Sequence, residues 1–276
     1  MVTLAERLGF AADTRLLIVH CDDLGSTRSA NVAIREAFDA STATSASLMV
    51  PCPWASSAVA TFAGEDVGVH LTLNAEWEAY RWRPLTPAPS LRAPDGGFRR
   101  TVDDLWAHAD LDEVRGECRA QIKQAFTWGI DVTHLDSHMG PLQLRADYFE
   151  IYLELAREFA LPLRMVGASM ERAFGLAGRK LARAAGVIFP DHFVYADVGS
   201  RTAIEHALRE LRPGVTEVYL HPAVDTDELR ASHPDWANRV ADHAFLTSEP
   251  GLRALAESAG ARLIGFRELR QLQRGA

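Results

Sequence analysis

Two adjacent aspartates stand at the end of a continuous apolar run near the start of the chain. Residues 16–26 read LLIVHCDDLGS, so Asp22 and Asp23 follow a segment whose composition is typical of a buried strand. Two carboxylates in such a place lose hydration and repel each other. A metal ion, another cation or a substrate is therefore expected to offset that cost, although an acid here can also cap the next helix.

Other residues able to bind a metal or move a proton share this placement at the ends of apolar runs. They are His70 in GVHLTL, His134, Asp136 and His138 in HLDSH, Arg164 in PLRM, and His221 in YLHPA. Taken singly, each fits a hydrogen-bonded core or strand-end residue, and the arginine fits a surface salt bridge. Together they indicate a hydrolytic metal site, in which aspartate and histidine ligands leave one position for water.

The elements that would position these residues alternate along the chain. Short apolar strands are predicted in RLLIVHCDD, SASLMVPCP, EDVGVHLTLN, VTHLDSHMG, LPLRMVG, VTEVYLHPA and ARLIG, with helical periodicity between most of them. This alternation predicts an α/β fold with a parallel sheet, open or closed. About seven such units favour a parallel (β/α) barrel in a single domain of residues 1–276, whose strand ends would converge at one rim.

Residues 77–101 differ in composition from the rest of the chain. The segment WEAYRWRPLTPAPSLRAPDGGFRRT holds four prolines and two glycines, which predicts a long loop or lid inserted in the domain. Its aromatic residues Trp77, Tyr80 and Trp82 suit stacking on a sugar ring. A small core that holds the loop together is the alternative use for them.

Composition narrows the function classes. The 276 residues are 47% hydrophobic and 24% charged with a net charge of −8, which argues against a nucleic-acid partner. The three separated cysteines form neither a disulfide framework nor a zinc motif.

Neither a signal peptide nor an apolar run near the ~20 residues of a membrane span is evident. A cytoplasmic enzyme without a membrane partner is expected, and a homodimer is the base-rate expectation for its assembly.

Four motifs in chain order resemble those of the YdjC-like carbohydrate deacetylases. They read HCDDLGSTRSANVAI, TATSASLMVPCP, VGVHLTLNAEW and VTHLDSHMG, and the resemblance extends from about residue 16 to residue 221. It implies a distorted (β/α) barrel and a metal-dependent hydrolase that removes an acetyl group from an N-acetylated amino sugar or a chito-oligosaccharide. The arrangement of the site in this family resembles that of the wider polysaccharide deacetylases. Met139 departs from the pattern, because many members carry a second histidine there.

The resemblance also implies roles for individual residues. The divalent ion would be held by Asp23, His70 and His138. Asp22 would take a proton from the bound water, His221 would give a proton to the leaving amine, and Arg164 could hold the base in position. His134 and Asp136 would support a ligand or a turn by hydrogen bonds.

The two aspartates pose a geometric problem. Adjacent side chains of a strand point to opposite faces, so both reach one site only where the strand turns, which Gly25 permits. Until that turn is known, Asp22 and Asp23 could exchange the roles of base and ligand.

The ligand set bears on the metal and on the competing functions. One carboxylate and two imidazoles suit zinc, and also nickel, cobalt or manganese, whereas family members are often described with magnesium. A metal-dependent phosphoesterase is one alternative, although few lysines or arginines lie near the strand ends. A carbohydrate-binding protein without catalysis is the other.

Overall fold

Seven parallel strands form one sheet in the computed structural model, which describes residues 2–78, 80–195 and 201–275. The strands are β1 (Arg15–Leu24), β2 (Ser45–Leu48), β3 (Val67–Leu71), β4 (Leu135–Ser137), β5 (His192–Val194), β6 (Gly214–Leu220) and β7 (Ala261–Leu263). Their order across the sheet is β4-β3-β2-β1-β6-β5, and β7 pairs with the start of β1.

Helices follow most of the strands. They are α1 (Leu4–Arg7), α2 (Arg28–Asp39), α3 (Ala55–Thr61), α4 (Val102–His108), α5 (Leu111–Thr127), α6 (Pro141–Leu144), α7 (Ala146–Phe159), α8 (Ala168–Ala173), α9 (Gly178–Ala184), α10 (Arg201–Arg209), α11 (Asp227–Ser232), α12 (Trp236–Thr247), α13 (Leu252–Ser258) and α14 (Phe266–Arg274). In the parts of the chain that the structure describes, no helix is both long enough and apolar enough to cross a bilayer.

The sheet curls into a distorted (β/α) barrel, as predicted. Between β4 and β5 irregular backbone closes part of the gap: Leu163 donates its N–H to the carbonyl of Ile188, 3.0 Å away, and Arg164 donates to Leu135, also at 3.0 Å. The predicted strand LPLRMVG was wrong, because this segment forms only a parallel bridge between Leu135 and Leu163. Pro162 has no N–H to donate, which limits the pairing here.

The central strand β1 shows how the polar site is built on an apolar base. It is buried along almost its whole length, as expected of a parallel strand covered on both faces. Leu16 and Ile18 belong to a small apolar cluster with Phe266 of α14. His20 and Asp22 continue the same face by the two-residue period of a strand. The apolar cluster therefore lies below the polar residues of the site.

Residues 77–101, the predicted insertion, are ordered by local contacts, although Ala79 lies outside the described residues. A short 3₁₀ helix forms at Pro89–Leu91, and Phe98 donates its N–H to the carbonyl of Trp82 at 3.0 Å. The role of residues 77–101 as a lid stays a prediction, and so does the extent of the domain.

Gly68 in β3 offers a test of how tightly the barrel interior is packed. A Cβ at Gly68 would lie 2.5 Å from Cε1 of His134, whose ring stacks on Phe266 with centroids 3.9 Å apart. We expect Gly68→Ala to lower the free energy of unfolding by about 1–3 kcal/mol through overpacking. The control Gly116→Ala lies within α5, where no atom beyond the adjoining helix backbone would come within 4 Å of the new Cβ, and should stabilise by about 0.5–1 kcal/mol. Denaturant unfolding measures both, and equal stability of Gly68→Ala and the parent would contradict the packing argument.

Candidate metal centre and active-site cavity

A bulge at the end of β1 brings the two adjacent aspartates to one cavity. Cys21 pairs with Ala46 and Leu24 with Leu48, so β1 contains one more residue than β2 over this stretch. The extra length is taken up at Asp23, whose φ of 63° lies in the left-handed region. The strand therefore turns at Asp23 itself, earlier than the predicted turn at Gly25, and both carboxylates line the cavity.

The residues after the bulge hold it in place. Gly25 has a φ of 87°, and a Cβ there would lie 2.9 Å from Cα of Ala55. Its N–H donates to Oδ1 of Asn31 at 2.7 Å, and Asn31 in turn donates to the carbonyl of Trp54. The asparagine of α2 thus fixes the direction in which the chain leaves the site.

Asp23, His70 and His138 meet at the floor of the cavity. Oδ1 of Asp23 lies 3.4 Å from Nε2 of His70 and 3.4 Å from Nδ1 of His138, and the two nitrogens are 3.3 Å apart. All three side chains are buried, and this oxygen has no hydrogen-bond partner among the described residues. A carboxylate oxygen and two imidazole nitrogens facing one another fit a divalent metal ion.

Each of these three side chains is held from behind. Nδ1 of His70 lies 2.7 Å from Oδ1 of Asp136, and Nε2 of His138 lies 3.0 Å from Oε2 of Glu76. The second oxygen of Asp23 accepts a hydrogen bond from Nη1 of Arg239 at 2.7 Å. Carboxylates behind histidine ligands are the usual way in which proteins orient the rings and raise their basicity.

The carboxylates also determine the protonation of the two histidines. Burial alone would lower the pKa of His70, but Asp136, together with Asp23 and Asp22, outweighs burial and raises the pKa to about 10. Burial likewise opposes Glu76 and Asp23 at His138, and the net effect raises its pKa to about 9. Binding of an ion must therefore displace protons, so metal affinity is expected to weaken as the pH falls.

Asp22 lies beside this group with a different set of partners. Burial would raise its pKa, but Arg164, together with His70 and His20, holds the pKa below its usual value. Nη1 and Nη2 of Arg164 each donate to one oxygen of Asp22 at 2.7 Å, which is the contact expected from the sequence. Nε of Arg164 donates to Glu217 at 2.7 Å and fixes the guanidinium from the other side. Asp22 is thus ionised and held in one orientation.

His221 lines the same cavity and lies beside Asp22. Its Nε2 is 3.8 Å from Oδ2 of Asp22, and its backbone N–H donates to Asp242 at 2.9 Å. Burial lowers the pKa of His221, although both Asp23 and Asp22 oppose the effect. When it carries a proton, this imidazolium is therefore a stronger acid than an exposed one.

Asp136 and His134, both expected to support the site, occupy different positions. Asp136 contacts His70 directly and also accepts from Ser47 at 2.7 Å. His134 lies deeper, with Nδ1 3.0 Å from Oγ1 of Thr133. Its position against the apolar base makes it part of the support for the site, and its proposed hydrogen bond to a ligand or a turn stays a prediction.

Several further residues lie at the site although their sequence pattern did not predict them there. His20 lies 3.3 Å from Asp22 and 3.4 Å from Asp136, and its place two residues before Asp22 on the same strand face was a usable signal. Glu217 interrupts the apolar strand VTEVYL, which also marks it as unusual. Glu76 and Arg239 carry no comparable local signal.

The cavity has a volume of about 390 Å³, and its apolar lining differs from the predicted one. Trp77, Tyr80 and Trp82 are absent from the described residues that line it. The two tryptophans are buried against each other, with ring centroids 4.9 Å apart, and the tyrosine hydroxyl donates to the carbonyl of Ser26. This packing is that of a small loop core, and the stacking of sugar on these rings stays a prediction.

Glu76 can be tested for its contribution to metal binding. Glu76→Gln should weaken the affinity of the apoprotein for zinc by about 10–100-fold, because the ring of His138 loses its charged partner. Isothermal titration calorimetry of the apoprotein with zinc measures this change. The neighbouring exposed residue gives the control Glu78→Gln, which should bind zinc like the parent. Equal affinity of the two variants for zinc would show that Glu76 does not contribute to metal binding.

Known proteins are similar to this chain in sequence and in fold. The chain is 38% identical to the carbohydrate deacetylase of Thermus thermophilus over 262 residues, which cover 92% of this chain and 94% of that protein. It is 30% identical to the carbohydrate deacetylase of Geobacillus stearothermophilus over 262 residues, which cover 94% and 99% respectively. The crystal structure of a proposed cellobiose-phosphate cleavage protein from Enterococcus faecalis matches with a TM-score of 0.81 at 25% identity, over 93% of this chain and 99% of that one.

The sequence profile described as YdjC-like protein matches residues 16–257, which include every site residue discussed above. A match over most of the chain, together with the Thermus thermophilus relative, identifies the family. The chain belongs to the family of YdjC-like proteins.

Proposed function

We propose that this protein is a metal-dependent carbohydrate deacetylase, an amide hydrolase that releases acetate from an N-acetylated amino sugar or oligosaccharide. One observation carries the proposal: two adjacent buried aspartates open on one cavity with separate partners. Asp23 faces two histidines and Asp22 is held by Arg164. This pairing suits a metal ligand next to a general base. Relatives named carbohydrate deacetylase support the choice of substrate class.

Asp23, His70 and His138 would hold the single divalent ion. Their two imidazoles favour zinc over magnesium, and nickel, cobalt and manganese also suit this ligand set. A bound ion would supply Lewis acidity, which lowers the pKa of a water molecule and polarises the acetyl carbonyl.

The chain itself would move the protons of the reaction. One carboxylate oxygen of Asp22 would accept a proton from the attacking water while the oxygen of that water bonds to the acetyl carbon. The imidazole of His221 would give a proton to the amine nitrogen as the carbon–nitrogen bond breaks. Arg164 would keep Asp22 in place, and Glu217 would keep Arg164 in place. The products are acetate and the free amino sugar.

The test is acetate release from a panel of N-acetylated sugars, with metal content measured on the same samples. N-acetylglucosamine, N,N′-diacetylchitobiose and longer chito-oligosaccharides form the panel, and the protein is loaded with zinc or with magnesium. We expect one free amine for each acetate released. Sugar binding without acetate at any metal loading would favour a binding protein, and turnover of a phosphate ester but of no acetamide would favour a phosphoesterase.

A further inference from the structure

The cavity has a polar floor and an apolar rim. The floor carries the aspartates and histidines described above. The rim includes Met139, Phe174 and Tyr195, and these side chains are 43%, 55% and 59% exposed. Exposed large apolar side chains gathered at a cavity mouth indicate a binding surface for a ligand that presents apolar area. The C–H faces of a pyranose ring present such an area.

The cations of the cavity are already engaged by carboxylates. Among the described residues that line it, the lysines and arginines are limited to Arg164 and Arg239. Arg164 donates to Asp22 and Glu217 at 2.7 Å. Arg239 donates to Asp23 at 2.7 Å and to Asp235 at 2.9 Å. Each guanidinium charge is therefore balanced by at least two carboxylates.

The charge of the whole site is negative. The two guanidinium groups contact five carboxylates, those of Asp22, Asp23, Asp136, Glu217 and Asp235, and the carboxylate of Glu76 contacts His138. A divalent ion would leave the balance negative, even if His221 carried a proton. A like charge brought into such a site is disfavoured, and the effect is strongest where water is excluded.

The neighbouring pocket has the same character. It shares Glu76 and Arg239 with the cavity and adds Arg100, but it also adds Glu78 and Asp235. A substrate that extended from the cavity into this pocket would therefore meet more acids there than bases.

We propose that this cavity selects an uncharged N-acetylated sugar and discriminates against its phosphorylated counterpart. The inference rests on the proposed function and names its substrate class. A phosphate group adds about −1.5 to −2 charges at neutral pH, so it meets the acidic site without a free cation. The neutral sugar places its ring on the apolar rim.

The experiment compares N,N′-diacetylchitobiose with its 6-phosphate on the zinc-loaded protein. We expect kcat/KM for acetate release to be at least about tenfold higher for the neutral sugar, and the ratio to shrink as salt is added. Calorimetric binding of both sugars to zinc-loaded Asp22→Asn gives a readout that does not need turnover. An equal or better result with the phosphate overturns the inference. If neither sugar releases acetate, the binding preference decides the inference, and the full panel of N-acetylated sugars with both metals decides the proposed function.

A gain of charge tests the physical cause. Phe174→Lys places a cation on the rim and should raise the ratio of kcat/KM for the phosphorylated over the neutral sugar by at least about threefold. Leu181→Lys is the control, because Leu181 is an exposed apolar residue outside the cavity lining. It should leave the ratio unchanged. A ratio that Phe174→Lys does not move would overturn the electrostatic explanation.

Discussion

His70→Ala is expected to abolish stoichiometric binding of a divalent ion while the protein still folds. The variant loses one of the three facing ligand atoms, and Asp23 keeps only His138 beside it. Asp136, which loses its partner, still accepts from Ser47 at 2.7 Å and lies 3.1 Å from Arg164. Its buried charge therefore stays compensated, so the fold should tolerate the change.

Metal analysis after dialysis against a buffered zinc solution measures this result, and circular dichroism confirms that the variant is folded. His108→Ala is a suitable control, because it removes an exposed histidine that lies outside the cavity lining. A folded His70→Ala that retains one ion per chain would show that the ion is held elsewhere.

Asp22→Asn is expected to keep the metal and to lose about 10²- to 10⁴-fold in kcat, the usual contribution of a general base. Asparagine has the same shape but cannot take a proton from water. Arg164 remains anchored by Glu217 at 2.7 Å, so the wall of the cavity should stay in place. Steady-state acetate release and metal content are measured on the same preparation.

Asp23→Asn is the matched variant and should behave in the opposite way, with loss of metal. The pair therefore decides between two assignments that the sequence alone left open. The reverse pattern, in which Asp22→Asn loses the ion and Asp23→Asn keeps it, would exchange the roles of base and ligand. Near-normal kcat in Asp22→Asn would show that Asp22 is not the general base.

Residues on strands were the predictable part of the site. His70, Asp136 and the two aspartates end apolar runs, and the barrel topology brings such ends together, so a sequence pattern was enough to group them. Arg164 was also found this way, although its segment is not a regular strand. The signal there was a polar residue beside an apolar run. This pattern can be recognised in the sequence whether or not the segment pairs as a regular strand.

The contribution of α12 could not be predicted, for a physical reason. Its buried face consists of Arg239, Asp242, Phe245 and Leu246, so half of the positions that face the protein are charged. Hydrophobic periodicity does not reveal a helix whose inward face is polar. Arg239 donates to Asp23, which lies 216 residues earlier in the chain. Asp242 accepts from the backbone N–H of His221, which follows β6. Such ion pairs become visible only when the chain is folded.

The aromatic loop shows the opposite difficulty. Trp77 and Trp82 have the residue types that bind sugars, but Nε1 of Trp82 donates to the carbonyl of Asn74 at 2.8 Å and its ring is buried. The sequence specifies that a ring is present and not which surface it covers. Apolar rings are equally suited to a loop core, which explains why composition alone could not separate the two uses.

The left-handed backbone of Asp23 restricts which residues can serve at this position. Aspartate, asparagine and histidine tolerate this conformation better than other side chains. Glutamate offers the same carboxylate to a metal, but its longer side chain lacks the short polar contact with the backbone that makes the conformation accessible. Exchange of aspartate for glutamate, a mild change at many metal sites, should therefore be poorly tolerated here. The main-chain conformation at residue 23 therefore limits which carboxylate side chains can stand at this position.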